Sequence, residues 1–295
     1  MVDGFLIIDK PAGCSSHDVV NRVRRILATK KVGHTGTLDP FATGVLPIAV
    51  GEGTKAIPFL DEGEKRYLAS LQLGLATDTL DITGTLLRQA DYTQLDEATL
   101  RRAMAGLTGE IDQVPPMFSA IKQGGQPLYK LARKGVEVER AARRVTIRRF
   151  DLLSFEPPLA QVEVHCSRGT YVRTLADDLG RIVGCGACLT ELRRTMSGPF
   201  RLEQALTLEQ LEAVVAGNAI DQYLLHPLSM LGHLPCIALD ADEARLVRNG
   251  QVPYRCVLPE LPEEGCCCLL AEGVLLAVAR KRQGQLVLQR GFVAS

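Results

Sequence analysis

Tryptophan is absent from this chain, and only six tyrosines and eight phenylalanines supply aromatic rings. An aromatic outside an apolar pattern therefore stands out. Neither charge is in surplus: 34 Lys and Arg balance 34 Asp and Glu. Any affinity for a polyanion has to come from local clusters. No run of about 18 apolar residues occurs, which excludes a membrane-spanning helix. Met1 to Gly4 has no basic character, and Phe5 to Ile8 is too short for the core of a secretion signal. Also missing are the phosphate-loop, nucleophile-elbow, zincin-helix and dinucleotide-fingerprint patterns. Gly51 to Lys55 has the wrong spacing for a phosphate loop, and Asp78 to Asp81 the wrong spacing for a calcium loop. No metal, nucleotide or redox cofactor is expected.

The nine cysteines are an odd number and follow no signal peptide, so free thiols in a reducing cytoplasm are expected. Cys185 and Cys188 have CxxC spacing, and Cys266, Cys267 and Cys268 are contiguous. Zinc would need two matched ligand pairs, which are not there. Small buried thiols are the expected reading.

What is present is an ordinary globular composition, 46% hydrophobic and 23% charged over 295 residues. That length fits roughly two domains. Two stretches are basic. Val19 to Leu38 holds five basic residues (Arg22, Arg24, Arg25, Lys30, Lys31) and no acid. Ile121 to Arg149 holds nine basic residues against Glu137 and Glu139. Such clusters bind phosphates by counterion release, or are simply solvated faces.

Apolar periodicity predicts a strand at Phe5 to Ile8 and a helix capped by Ser15-Ser16 that buries Val19, Val20, Val23, Ile26 and Leu27. Val45 to Val50 reads as a strand broken by Pro47, and Tyr67 to Leu75 as an alternating strand. Leu95 to Leu107 reads as a helix. Pro115 to Gly135 reads as a long functional loop ending in a helical piece. Strands follow at Val145 to Phe155 and Gln161 to Cys166, then a helix over Val172 to Val183. The excess of strands over a simple βαβ alternation predicts an α+β fold with a mixed, mainly antiparallel sheet. Ser229 to Pro235 reads as a linker. Beyond it, Asp240 caps a short helix, and strands near 269–270, 273–279 and 285–288, the last two joined by a Gln283-Gly284 turn, predict a separate small β-barrel.

Two segments carry chemistry. Gly33 to Gly44 has three glycines beside Pro40, which forbids a regular helix and presents Asp39 from a loop. Asp39 is either a turn residue or a nucleophile or general base. In Ser167 to Leu175, Tyr171 and Arg173 share a face if the segment is extended. Arg173 is either a surface residue at a helix start or the partner of a carboxylate.

The run Asp9-Lys10-Pro11 with Ser15-Ser16, the block Gly33 to Gly44, Lys65-Arg66-Tyr67, Thr77-Asp78-Thr79 with Asp81 and Gly84, and Gly169 to Leu179 together resemble the TruB-type tRNA pseudouridine-55 synthases. Val114-Pro115-Pro116, Ser119-Ala120 and Leu128-Tyr129 resemble that family's RNA-contacting insertion. Leu192-Arg193-Arg194 and Gly198-Pro199-Phe200 resemble its later motif.

The resemblance implies a pseudouridine synthase catalytic domain over 1–231, with an RNA-gripping insertion over 115–149, and a PUA-like RNA-binding domain over 232–295. It implies a cytoplasmic enzyme that isomerises uridine 55 in the T-arm loop of tRNA after flipping it out. No cofactor or protein partner is implied, and a monomer is the default. Asp39, Tyr67 and Arg173 are the implied catalytic residues. Arg173 would keep the Asp39 pKa low. Lys10, His34, Asp81, Tyr171 and Leu192 are implied around the substrate, with His34 filling the space the base vacates. Lys122, Lys130, Arg133, Lys134, Arg143 and Arg144 would grip the RNA backbone. Two rival readings are a non-catalytic RNA-binding or RNA-folding protein on this scaffold, and a guide-RNA-dependent synthase like the dyskerin-like relatives. The first should have lost a catalytic side chain. The second normally carries terminal extensions.

Overall fold

A computed structural model describes residues 2–61, 63–253 and 260–292. The chain opens with β1 (Gly4–Lys10), α1 (Ser16–Ile26), β2 (Val32–His34) and β3 (Thr43–Val50). After two short 3-10 turns come β4 (Glu64–Leu73), the small pair β5 (Leu75–Thr77) and β6 (Leu86–Gln89), α2 (Glu97–Gly106) and β7 (Gly109–Gln113). The insertion holds β8 (Lys122–Gln123), β9 (Gln126–Pro127) and α3 (Leu128–Ala132). Then follow β10 (Arg143–Glu156), β11 (Leu159–Ser167), α4 (Val172–Ile182), β12 (Ala187–Ser197), β13 (Phe200–Arg201) and α5 (Leu208–Ala216). The last part is β14 (Cys236–Ala238), α6 (Ala241–Arg248), β15 (Cys266–Ala271), β16 (Val274–Arg282) and β17 (Gln285–Gly291).

Local chemistry explains the main elements. In β4, Lys65, Tyr67, Ala69, Leu71 and Leu73 are all buried, the alternation of a strand with one face on the core. The Ser15 side chain and Asp18 form a capping box at α1. Val172, Leu175, Ala176 and Leu179 make the buried stripe of α4. That helix lies tight against the start of β12: a Cβ on Gly180 would sit 2.1 Å from the Ala187 nitrogen.

The main sheet runs β1-β3-β12-β4-β11-β10-β7. Only the β3–β12 contact in that path is parallel, so the sheet is mixed and mainly antiparallel, as expected. One apolar cluster joins α1, α2, α4 and α5 to this sheet.

Two sequence expectations are corrected and one unassigned strand is found. Pro47 does not break its strand: it pairs with Ile7 inside a continuous β3. Its carbonyl accepts from Thr35 at 3.0 Å on the far side from β1, so the missing N–H falls where no ladder bond to β1 is made. Second, residues 187–197, given no element above, form β12 in the middle of the sheet. Its inward positions read Leu192, Arg194 and Met196, a buried arginine that masks the alternation, and two bulges disturb the period. Third, the linker is part of a core. Leu231 is fully buried in a cluster with Phe5, Ile7 and Val45 of the main sheet and Cys268, Leu275 and Val278 of the second.

The second sheet, β14-β15-β16-β17, also has its own cluster with α6. Asp240 and Glu243 form the capping box of α6, and Gln283 and Gly284 both take positive φ in the turn before β17. Among the described residues these strands form an open sheet.

Candidate active site

Asp39 lies in the loop between β2 and β3, and that loop is held from several sides. The Ser16 hydroxyl accepts from the Leu38 N–H at 2.9 Å and donates to the Leu38 carbonyl at 3.1 Å. Lys10, fully buried at the end of β1, donates to the carbonyls of Pro11, Pro40 and Ala42 at 2.9, 3.2 and 2.6 Å. Burial lowers the Lys10 pKa, opposed by nearby groups that include the Asp39 carboxylate. With its hydrogens committed to carbonyls, Lys10 shapes the loop rather than facing a ligand. The Ala42 N–H donates to the Asp39 carbonyl at 3.1 Å and closes the turn.

Arg173 enters from the first turn of α4. Its Nε lies 2.8 Å from Oδ2 of Asp39, and Nη2 donates to Oδ1 at 3.1 Å. Nη1 donates to the Thr79 carbonyl and Nη2 to the Phe118 carbonyl, both at 2.8 Å. Nη1 also lies 3.6 Å from Oδ2 of Asp81. A cation near a helix N-terminus is disfavoured by the dipole, and these contacts offset that. The Arg173 side chain is 3% exposed and that of Asp39 is 32% exposed, so the carboxylate and not the cation is the open member of the pair.

The expected low pKa of Asp39 is not what this environment produces. Burial raises it, and Arg173, acting against burial, does not fully restore it; the Asp81 carboxylate adds to the rise. Asp81 itself is 4% exposed and accepts from the Thr79 hydroxyl at 2.9 Å and the Thr83 N–H at 3.0 Å. It braces Arg173 and its own loop from behind.

Tyr67 is buried in β4, and burial pushes its phenol up to about 12, with Arg194 as the main opposing influence. The ring therefore stays neutral at physiological pH. Tyr171 precedes α4 and is half-buried. Its backbone N–H donates to Oε1 of Gln113 at 2.7 Å, and its carbonyl accepts from Nε2 at 3.1 Å. Burial raises the Tyr171 phenol pKa, and the nearby Asp39 charge adds to the rise. Leu192 is buried in β12 opposite Ala69, two residues along from Tyr67. His34 ends β2, half-buried and opposite Ile48.

The structure thus joins Asp39, Arg173 and Asp81 directly, and brings Tyr171 within electrostatic reach of them. The basic residues stand elsewhere, exposed on the insertion and on β10. Arg133 sits 5.5 Å over the Tyr129 ring, and Arg144 pairs with Glu110 and Asp112. Lys122, Lys130, Lys134 and Arg143 form no ion pair among the described residues.

Gln113 was not singled out by the sequence, and Ser119 and Arg194 were named only as members of family-like motifs, with no role of their own. Gln113 is a lone buried amide with no pattern around it. The insertion also reaches the Asp39–Arg173 pair itself, through the Phe118 carbonyl on Arg173. Among the described residues no group of three His, Cys, Asp or Glu side chains could hold a metal. Cys185, Cys188, Cys267 and Cys268 are buried, as expected of small core thiols.

A mixed sheet that sets a carboxylate loop against a buried arginine is the layout of a pseudouridine synthase. The Cbf5 chain in the crystal structure of a Cbf5–Nop10–Gar1 complex superposes with a TM-score of 0.75 at 25% identity, covering 98% of this chain and 85% of that one. A chain of an H/ACA RNP bound to a substrate RNA containing 2′-deoxyuridine shares the fold, with TM-score 0.71, 23% identity and coverage of 99% and 85%. The model of the TruB family pseudouridylate synthase N-terminal domain matches residues 24–172, and that of the tRNA pseudouridylate synthase B C-terminal domain matches 173–231. A tRNA pseudouridine synthase B from Geobacter sulfurreducens is 52% identical over 289 residues, 96% of this chain and 95% of the relative. One from Pseudomonas aeruginosa is 50% identical over 267 residues, 90% of this chain and 86% of the relative. The chain belongs to the TruB family of pseudouridylate synthases. Asp39 falls in the first matched region and Arg173 opens the second.

Proposed function

We propose that this enzyme converts the uridine at position 55, in the T-arm loop of tRNA, to pseudouridine, with Asp39 as the catalytic carboxylate. The observation that carries the reading is the half-open Asp39 carboxylate locked to a buried Arg173. The C1′–N1 bond breaks, the base turns, C1′ bonds to C5, the C5 proton is lost and the freed N1 takes up a proton. Atoms and electrons balance within the nucleotide, so no cofactor is called for.

Asp39 attacks as the anion, at the base or at the sugar, and covalent capture splits one hard step into two. Arg173 keeps the carboxylate aimed, because its planar fork contacts Asp39 while its other hydrogens go to fixed carbonyls. Tyr67 stacks on the base and assists removal of the C5 proton. Tyr171 and Leu192 wall the pocket. Flipping the uridine costs a few kcal/mol, offset by stacking and hydrogen bonds in the pocket. His34 fills the vacated space. Lys10 and Asp81 serve from behind, by shaping the loop and bracing Arg173.

Residues 1–231 form the catalytic part and 232–295 a PUA-like RNA-binding part. Lys122, Lys130, Arg133, Lys134, Arg143 and Arg144 grip the T-arm backbone through the 115–149 insertion. Action as a monomer in the cytoplasm, with no protein partner, belongs to the same proposal. Retention of Asp39, Tyr67 and Arg173 argues against a non-catalytic scaffold. The test is to map modified positions after incubation with an unmodified tRNA transcript. A single pseudouridine at position 55 is expected; modification elsewhere, or only with an added guide RNA, would overturn the assignment.

A further inference from the structure

Arg194 is the largest of the fully buried side chains, at 1% exposure. Its Nε donates to the Val45 carbonyl at 2.8 Å, and Nη2 donates to the Gly36 carbonyl at 2.8 Å. Nη1 reaches the Thr37 carbonyl at 3.5 Å. Gly36 and Thr37 precede Asp39 and Val45 follows it, so one guanidinium spans both arms of the nucleophile loop. The backbone is just as close: a Cβ on Gly44 would lie 2.2 Å from the Arg194 carbonyl oxygen, at a positive φ of 99°.

On the other side, Arg194 stands directly opposite Tyr67 in the β12–β4 register, and its charge opposes the burial that raises the phenol pKa. No carboxylate pairs with Arg194 among the described residues. A buried cation held by carbonyls beside a phenol is costly in a core. A neutral side chain would fill the same space at lower cost, so its fork and charge need a use.

We propose that Arg194 is a positioning residue for the isomerisation: it fixes the Asp39 loop against the strand that carries Tyr67 and so sets the distance between nucleophile and ring. This rests on the roles given above to Asp39 and Tyr67. A lysine cannot span Gly36 and Val45 at once, but it keeps the charge and one carbonyl contact. A methionine keeps neither.

The test compares R194M and R194K with the wild-type full chain in single-turnover isomerisation of tRNA at saturating enzyme, with tRNA Kd and thermal melting measured alongside. R194M is expected to react about 100-fold more slowly per folded molecule, the size of effect a displacement of about 1 Å produces. Its Kd should be unchanged, and R194K should fall between. A merely structural residue would lower the melting temperature and leave the rate per folded molecule intact. Wild-type rate in R194M, equal rates in R194M and R194K, or a loss residing wholly in Kd would each overturn the proposal. If R194M does not fold, R194K alone decides: a reduced rate at unchanged Kd supports positioning, and a wild-type rate overturns it. D39N run in parallel separates the two readings, because an active D39N refutes the nucleophile while wild-type rates in the Arg194 variants beside an inactive D39N refute only the positioning role.

Discussion

The proposed chemistry needs Asp39 as an anion in surroundings that favour its neutral form. Its pKa lies above the ordinary 3.8 because burial outweighs Arg173. Since the ionised form reacts, turnover should fall as pH drops through that raised value. Asp81 contributes to the rise, so Asp81→Asn should move the acid limb of kcat/KM to lower pH. An upward shift would contradict the charge balance described here. Arg173→Lys keeps a cation but cannot hold Asp39, Thr79 and Phe118 together. Its single-turnover rate should drop about 100-fold, the penalty for a misaimed reactive group. A wild-type rate in that variant would mean the fork geometry is dispensable.

The elements bring these side chains together by packing. Gly180 lets α4 sit against β12 and thereby places Arg173. Gly180→Ala should destabilise the protein by about 1–3 kcal/mol, as overpacking does. Urea unfolding checks this, and an unchanged midpoint would show that the helix can shift freely. On the insertion, alanine at Lys122, Lys130, Arg133, Lys134 and Arg143 should weaken tRNA binding and reduce its salt dependence by roughly one unit per lost phosphate contact. An identical salt slope would move the RNA grip elsewhere.

Elements whose pattern matched their burial were legible in the sequence: α1 from its cap and stripe, β4 from its alternation, α4 from its apolar face. β12 was not, because Arg194 occupies an inward position where an apolar residue is expected. Asp39 was legible as a loop carboxylate, but its role came from resemblance. Lys10 and Asp81 were picked out by resemblance alone. Their work behind the loop depends on long-range contacts that no local pattern encodes, as does the clamp of Gln113 on Tyr171.

In the molecule as a whole, the second sheet both packs on the first and carries its own cluster. Phe5, Ile7, Val45, Leu275 and Val278 share one core around Leu231. Cutting the chain after Leu231 should therefore lower the melting temperature as well as weaken tRNA binding, while the folded remainder keeps its chemistry. Unchanged melting would mean the shared cluster contributes little. Unchanged affinity would show that residues 232–295 are not an RNA grip. The same layout ties the insertion to the catalytic pair, since the Phe118 carbonyl accepts from the arginine that holds Asp39.

The most direct measurement is tritium release from tRNA labelled at uridine C5, with wild type and Asp39→Asn side by side. C5 loses its hydrogen only when it becomes the glycosidic carbon. Release by the wild type is expected, together with a loss of at least about 10⁴-fold in the variant, the order seen when a covalent catalyst is removed, and with tRNA binding retained. Release at comparable rates from both proteins would contradict the account at its centre.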